Sequence, residues 1–436
     1  MTKRDCRKCL PPEEARALKK AEQNPQTRVQ VEGLHVLKFG GTSLKSIARI
    51  QHVAQIIAQA TKNGPVLVVV SAMGDTTDYL MKLARQCSPN PNKRELDLLL
   101  ATGEQISVSL LAMTLHAMNI TARSLTAAQV GIFTEDVHNN ARIVEIKTYT
   151  LAEALDTNKV VIVAGFQGVT EQGEVTTLGR GGSDITAVAM AGATGTRICD
   201  IYTDVDGVFT SDPEIVPQAR LLEKISYDQI VEMARLGARV IHPRAVDLAR
   251  QYGITLRIRN TFKPDFLGTT IVGEEDMEIA RSVSGVAIDQ EQAGVAIVDV
   301  PDRPGIAGTI MTALAKRNIV TDMIMQACHP VHGLNTITFT VNSGDLRQTL
   351  DTLEELKSSL GAKQVISDSD IAKVSLIGTN LGGQPSIIAT LFNELGKNNV
   401  NIKMISTGER KLTCVVSKKD AERAARLAHE AFALSS

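Results

Sequence analysis

The chain has no tryptophan, and aromatic residues make up only 3% of its 436 positions. So few flat rings argue against a single-stranded nucleic-acid binder, which stacks bases on aromatic platforms. An excess of one charge sign is also missing: 47 Lys and Arg face 48 Asp and Glu, for a net charge of -1. With no basic field to collect a phosphate backbone, nucleic acid is not an expected partner. Cysteine is sparse, and of the six only Cys6 and Cys9 lie close together. A single CxxC falls short of the four ligands of a structural zinc site, so no metal site is expected there. Scattered thiols suit a reducing, cytoplasmic location. No run of 18 apolar residues occurs, so no membrane-spanning helix is expected. The charged first 30 residues lack the apolar stretch of a secretory signal.

What is present is aliphatic. Hydrophobic residues reach 43% against 22% charged, a balance that can bury sizeable cores. At about 150 residues per domain, the length suggests about three domains. Residues 1–32 read as a polar extension, with a short charged helix expected in PPEEARALKKAEQ. Order is expected from LHVLKFGGTS (34–43), a strand running into a glycine pair. PVLVVVSAMGD (65–75) and KVVIVAGF (159–166) carry the short β-branched runs of doubly covered strands. RELDLLLATGEQISVSLLAMTLHAM (94–118), SDITAVAMAGA, YDQIVEMARLGA and RAVDLARQYG read as helices. ICDIYTDVDGVF and TLRIRN read as strands. This alternation predicts an α/β domain over residues 33–280, a mainly parallel sheet between helices.

The remainder repeats itself. Residues 291–370 read β-α-β-β-α-β, and residues 371–436 read the same pattern one strand short. The spare run SGVAID, within 283–290, is expected to complete the second module, because an unpaired edge is a liability. The two βαββαβ modules are therefore expected to interlock.

Four loops draw attention as ligand sites. Lys38-Phe39-Gly40-Gly41-Thr42-Ser43 joins a strand to a helix, where glycines and free N–H groups favour an anion. A plain tight turn with a surface lysine is the alternative. Thr176 to Asp184 adds three glycines and Arg180, and arginine grips a carboxylate with two parallel bonds. Ser71 to Thr77 and Thr203 to Phe209 follow further strands, at the ends where such sheets bind ligands. Asp204 and Asp206 suit either a metal or a turn cap. Glu104 opens a long helix, whose N-terminus favours a carboxylate in any case.

KFGGTS, SAMGDTT, TGEQIS, VAGFQGV, TTLGRGGSD, YTDVDGVFTSDP and GARVIHPRAV, in this order, resemble the motifs of the aspartate kinases. The repeated modules resemble that family's tandem ACT domains, and the likeness spans residues 34–436. It implies an amino-acid-kinase fold followed by the two ACT modules. It implies phosphorylation of the side-chain carboxylate of L-aspartate to 4-phospho-L-aspartate with ATP and Mg²⁺, the first step toward lysine, threonine and methionine. Carried over by position, Lys38 and Asp184 are catalytic, with Asp184 beside Mg²⁺. Lys38, Phe39, Gly40, Gly41, Thr203, Asp204 and Phe209 bind ATP. Thr77, Glu104, Arg180, Gly181, Gly182 and Ser183 bind aspartate, Arg180 on a carboxylate and Glu104 on the α-ammonium. VPDRPGIAG and VTDMIMQ resemble the effector loop and strand, so Asp302, Gly305, Ile306, Ala307, Asp322 and Gln326 are expected to hold lysine, threonine or both. A homo-oligomer, at least a dimer through the ACT domains, is implied, and no membrane partner.

The chemistry agrees. A carboxylate with a pKa of about 3.9 is ionised at neutral pH and needs no general base. It needs charge cancellation and in-line placement, which a lysine, Mg²⁺ and glycine N–H groups supply. His242, in IHPR, is accordingly expected in a structural or nucleotide-side role. Three departures bear on regulation: Ala327 follows Gln326 where the family usually has Asn, Gln384-Pro385-Ser386 stands where Pro-Gly is common, and STGERKL (406–412) is unusual. Altered or reduced inhibition is expected from them. The rivals are a relative acting on glutamate or carbamate and a non-catalytic amino-acid sensor. The tandem modules with GRGGSD oppose the first, and an intact phosphate cradle opposes the second.

Overall fold

The computed structural model describes residues 31–237, 240–277, 282–327 and 332–435. The helix expected in the leader, with Cys6 and Cys9, lies outside them. The described chain forms two compact units. The first holds residues 31–208, 221–234 and 240–277, and the second holds 209–220, 235–237 and the remainder from 282.

The first unit has strands β1 (His35–Phe39), β2 (Val66–Val70), β3 (Ala122–Leu125), β4 (Ile132–Thr134), β5 (Ile143–Ile146), β6 (Val160–Ala164), β7 (Gln167–Val169), β8 (Val175–Thr177), β9 (Ile198–Thr203), β10 (Lys224–Ser226), β11 (Thr255–Asn260) and β12 (Thr269–Val272). Eight of them form a sheet in the order β10-β12-β11-β9-β1-β2-β6-β3, parallel except where β11 meets β12. Every residue of β2 and β6 has 0% exposure, because helices cover both faces. Ile50, Val53 and Ile57 of helix Ile47–Ala60, with Leu111 and Leu115 of helix Thr102–Ala117, pack against Val66, Val68 and Val70. Each such side chain contributes about 2 kcal/mol by leaving water. By length and composition alone the helical stretch 93–117 is apolar enough to cross a membrane, but half of its most apolar window is buried in this unit, where it packs as a core helix. A second sheet, β5-β4-β7-β8, has strands of three or four residues, too short to show a period in sequence. Since the central strands run parallel, the loops after β1, β2, β6 and β9 leave from one edge, where such sheets bind ligands.

The second unit is one antiparallel sheet in the order β14-β15-β13-β16-β18-β17. Its strands are β13 (Val283–Pro301), β14 (Thr321–Gln326), β15 (Leu334–Asn342), β16 (Gln364–Gly378), β17 (Met404–Thr407) and β18 (Lys411–Val416). β13 and β16 are unbroken, so the boundaries read at 290/291 and 370/371 fall inside strands. The polar run Asp289 to Gln292 reads as a break, yet the ladder absorbs it by shifting register there. The first half of β13 pairs with the second half of β16, Val286 opposite Leu376 and Ile288 opposite Val374. Its second half pairs with β15, Val295 opposite Phe339. SGVAID thus adds its strand to the second module. Each module keeps its own apolar core, and Met323, Ile371, Met404 and Val415 pack together from four strands.

The excursion 209–220 belongs to this unit. Val286 N donates to the Thr210 carbonyl at 2.7 Å, and Arg426 Nε donates to the Ile215 carbonyl at 2.8 Å. Thr210 Oγ1 and His429 Nε2 lie 2.8 Å apart, and burial holds the His429 imidazole below its usual pKa.

Candidate active site

Lys38 and Phe39 are consecutive on β1 and therefore point to opposite faces. Phe39 enters the core at 0% exposure and stacks on Tyr202, ring centroids 4.8 Å apart. Its side chain is wholly inside the core, so only its main chain is left for the ATP contact expected from sequence. Lys38 Nζ instead meets Asp184 Oδ1 at 2.6 Å, with side chains 11% and 12% exposed. Asp184 lies in the first turn of helix Gly182–Ala193. The loop after β1 lies directly on the loop after β2. Gly74 N donates to the Gly41 carbonyl at 2.9 Å, and a Cβ on Gly41 would come within 2.8 Å of the Ala72 carbonyl oxygen.

The loop after β8 turns at Gly181 with φ +72°, and a Cβ there would strike His242 at 2.2 Å. His242 Nδ1 accepts from Arg244 N at 3.3 Å, capping helix Pro243–Tyr252. Burial first, then the Arg244 charge, hold His242 below its usual pKa, so it is neutral at neutral pH. His242 is a cap beneath the glycine turn. Arg180 is exposed and has no carboxylate partner among the described residues.

Glu104 stands in the first turn of helix Thr102–Ala117 at 2% exposure. Its Oε1 accepts from Ala72 N at 2.9 Å, whereas its Oε2 is buried without a partner among the described residues. Burial outweighs that hydrogen bond and pushes the carboxyl up to about 8.

One cavity of about 270 Å³ gathers these groups. Lys38, Gly41, Thr77, Glu104, Arg180, Gly181, Gly182, Ser183 and Asp184 all line it, as do Ser71, Ala72, Gly74, Phe166 and Gly179. Gly40, Thr203 and Asp204 do not. Gly40 N is bonded to the Tyr202 carbonyl at 3.2 Å, and Thr203 Oγ1 donates to Asp204 Oδ1 at 3.2 Å. Phe209 opens the excursion that packs in the second unit. Asp206 staples its own loop, accepting from Asn260 Nδ2 at 2.6 Å and Lys263 Nζ at 2.7 Å, and the Lys263 bond holds it below the usual carboxylate range. Among the described residues no three His, Cys, Asp or Glu converge. A divalent ion would then take most of its oxygens from a phosphate substrate, as Mg²⁺ commonly does.

Sequence reasoning missed the frame around this cavity. Asp97, fully buried, accepts from Thr177 N at 3.0 Å, Thr177 Oγ1 at 2.6 Å, Asn139 N at 2.9 Å and His138 Nδ1 at 3.0 Å. Arg244 donates to Asn140 Oδ1, the Leu178 carbonyl and the Ala141 carbonyl at 2.8, 2.7 and 3.2 Å. A carboxylate placed on the Leu-rich face of helix Lys93–Leu100 was the available signal.

In the second unit, Gln326 Nε2 donates to Asp302 Oδ1 at 3.3 Å. Gly305, at φ +97°, caps helix Ile306–Lys316, which buries Ile306 and leaves Ala307 exposed. Asp322 is committed elsewhere, to Lys373 Nζ at 2.7 Å, the lysine side chain being 4% exposed. Burial alone would raise the Asp322 carboxyl, but the Lys373 hydrogen bond and charge outweigh it and hold it low.

Comparison with known proteins agrees with both units. The amino acid kinase family matches residues 33–260, and ACT domains match 294–361 and 374–432. An aspartokinase of Thermus thermophilus is 46% identical over 92% of this chain and 99% of its own. The crystal structure of E. coli aspartokinase III in complex with aspartate and ADP (R-state) matches with a TM-score of 0.75 at 25% identity, over 91% of this chain and 99% of that one. The same enzyme in complex with lysine and aspartate (T-state) matches at 0.73, also at 25% identity, over 92% and 99%. A nearly full-length likeness on both sides, joined to a cavity with a lysine–aspartate pair at one place and, at another, an arginine with no partner among the described residues, places the chain in the aspartokinase family, a family of kinases.

Proposed function

We propose that the chain transfers the γ-phosphoryl group of ATP to the side-chain carboxylate of L-aspartate, giving 4-phospho-L-aspartate and ADP. This is the first step toward lysine, threonine and methionine. A substrate carboxylate oxygen bonds to the γ-phosphorus as the bond to the β,γ-bridging oxygen breaks, and ADP carries the electron pair away. No proton transfer is needed.

The observation that supports this reading is the one cavity that joins the Lys38–Asp184 pair to Arg180 and Glu104 Oε2, both without a partner among the described residues. Lys38 offsets negative charge between the reacting anions, with N–H groups of the Gly41 and Gly181–Gly182 loops beside it. Mg²⁺ would supply further charge cancellation on the phosphates, and Asp184 is the side chain that would help hold it. Arg180 grips one carboxylate of aspartate, and Glu104 receives the α-ammonium. The aspartate and ADP bound to the E. coli relative are in keeping with this assignment. Phe39 contributes only main chain to the nucleotide, while Gly40, Thr203, Asp204 and Phe209 belong to the nucleotide side by family position.

The ACT modules, in this proposal, respond to lysine, threonine or both through Asp302, Gly305, Ile306, Ala307, Asp322 and Gln326, with weakened inhibition. Support for the weakening comes from Ala327, Gln384 to Ser386 and STGERKL. The chain assembles through these modules as at least a dimer, and the exposed Ile324 and Ile405 on end strands β14 and β17 suit such a contact.

The test is ADP release by the full chain with aspartate or glutamate as acceptor, repeated with lysine and threonine. Turnover with aspartate and little with glutamate is expected. Equal turnover with both acceptors, or none with aspartate, overturns the reading. Strong inhibition by low-millimolar lysine plus threonine overturns the weakened regulation.

A further inference from the structure

Arg180 has no hydrogen bond or ion pair of its own among the described residues, so its aim depends on the backbone that carries it. That backbone is framed from two sides. On one side Asp97 takes four donors: His138 Nδ1, Asn139 N and Thr177 N converge on Oδ2, and Thr177 Oγ1 donates to Oδ1. On the other, the Arg244 guanidinium donates to Asn140 Oδ1 and to the carbonyls of Leu178 and Ala141. Ala141 N donates to the Thr177 carbonyl at 2.9 Å, sewing the 138–141 loop to the end of β8. Gly179 then sits against this loop, where a Cβ would meet Asn140 Oδ1 at 2.9 Å and the Asn139 carbonyl at 3.0 Å.

The frame is a costly one. Asp97 has 0% exposure beside Leu96 and Leu100 of its own helix, and among the described residues its one ionisable partner is His138. An apolar side chain would hold a helix against a strand at less expense. Asn139 adopts φ +71° and leaves its Oδ1 buried without a partner among the described residues. Strain and unmet polar groups of this kind gather where a site needs a fixed geometry.

We propose that Asp97 is a positioning residue for acceptor binding: through Thr177 and residues 138–139 it fixes the turn from which Arg180 reaches the substrate carboxylate. The proposal rests on the reading of Arg180 as the carboxylate clamp. It assigns Asp97 no contact with substrate.

The test is steady-state kinetics of the full chain bearing Asp97→Asn, alone and with Arg180→Ala. Asn keeps the shape but lacks the charge that orders four donors. The aspartate KM is expected to rise about tenfold, with kcat and the ATP KM within about twofold, the pattern of a lost binding interaction. In the Arg180→Ala background the same change is expected to add less than about twofold, since both act through one contact. If Asp97→Asn does not fold, Thr177→Val removes one donor and is expected to raise the aspartate KM about threefold. An unmoved aspartate KM, equal losses in every constant, or full additivity with Arg180→Ala overturns the proposal. Where the unmodified chain turns over aspartate and Arg180→Ala weakens its binding, such a result removes the role of Asp97 alone. No turnover with aspartate in the unmodified chain removes the parent reading and this one together.

Discussion

The two candidate ligand regions are built on opposite plans. The cavity of the first unit leaves polar groups waiting: Glu104 Oε2 is buried without a partner, and Arg180 has no carboxylate among the described residues. The effector turn of the second unit answers its own groups, Gln326 on Asp302 and Lys373 on Asp322. An unmet buried oxygen costs about 1–3 kcal/mol, which an arriving ammonium recovers. An effector must instead displace an internal contact before it gains one. On the proposed readings, the contrast predicts that polar groups left unsatisfied bind their ligand more strongly than polar groups already paired among themselves.

The comparison breaks most visibly at Lys38. Lys38→Ala is expected to lower kcat at least about 100-fold, the scale of losing one electrostatic stabiliser. It also strands Asp184, so a thermal melt should fall as well, and Asp184→Asn in the same chain should restore the melt but not the turnover. Near-normal kcat would remove Lys38 from the mechanism. Next in size, Arg180→Ala is expected to raise the aspartate KM by about tenfold or more while the ATP KM holds. Unchanged aspartate saturation would show that the waiting arginine waits for something else.

Glu104 sharpens the same contrast through pH. Its carboxyl, pushed up to about 8, is mostly protonated near neutrality. An ammonium prefers the carboxylate, so binding draws the proton off. Aspartate affinity should therefore rise as pH climbs toward 8, the KM falling by up to about tenfold per pH unit, and level off above. Glu104→Gln should flatten that slope, and a flat slope in the unmodified chain would end the assignment. The smallest effect is expected from Lys373→Met, which frees Asp322 from its internal partner. Half-inhibition by lysine or threonine should move about two- to threefold lower, the range of an ion pair whose carboxylate is half exposed, with kcat unchanged when no effector is present. Unmoved or weaker inhibition would erase the contrast on its second side.

The parts of the molecule written in long runs were open to reading. The valine strands 66–70 and 160–164 could be little but covered parallel strands, and the loops that follow them had to lie at one edge. Lys38, Glu104 and Arg180 stand near those edges, in motifs whose order is distinctive. Three things stayed hidden for physical reasons. Strands β4, β5, β7 and β8, of three or four residues, are too short for a two-residue alternation to stand out. The unbroken β13 carries polar residues in mid-strand, where a register shift takes the place of a turn. Asp97 stands among leucines on its helix, which marks it as unusual but names no partner, and only the fold brings Thr177, His138 and Asn139 to it across 41 to 80 residues of chain.

β13 and β16 each serve both ACT modules, and this makes the C-terminal region indivisible. A fragment beginning at 291 would offer the bare half of β16 to any passing strand, and one ending at 370 would leave the first half of β13 with nothing to lie against. Exchange of regulatory properties between relatives must therefore transplant both modules as a block from residue 283 onward, since a single transplanted module would carry away half of a ladder that its neighbour still needs.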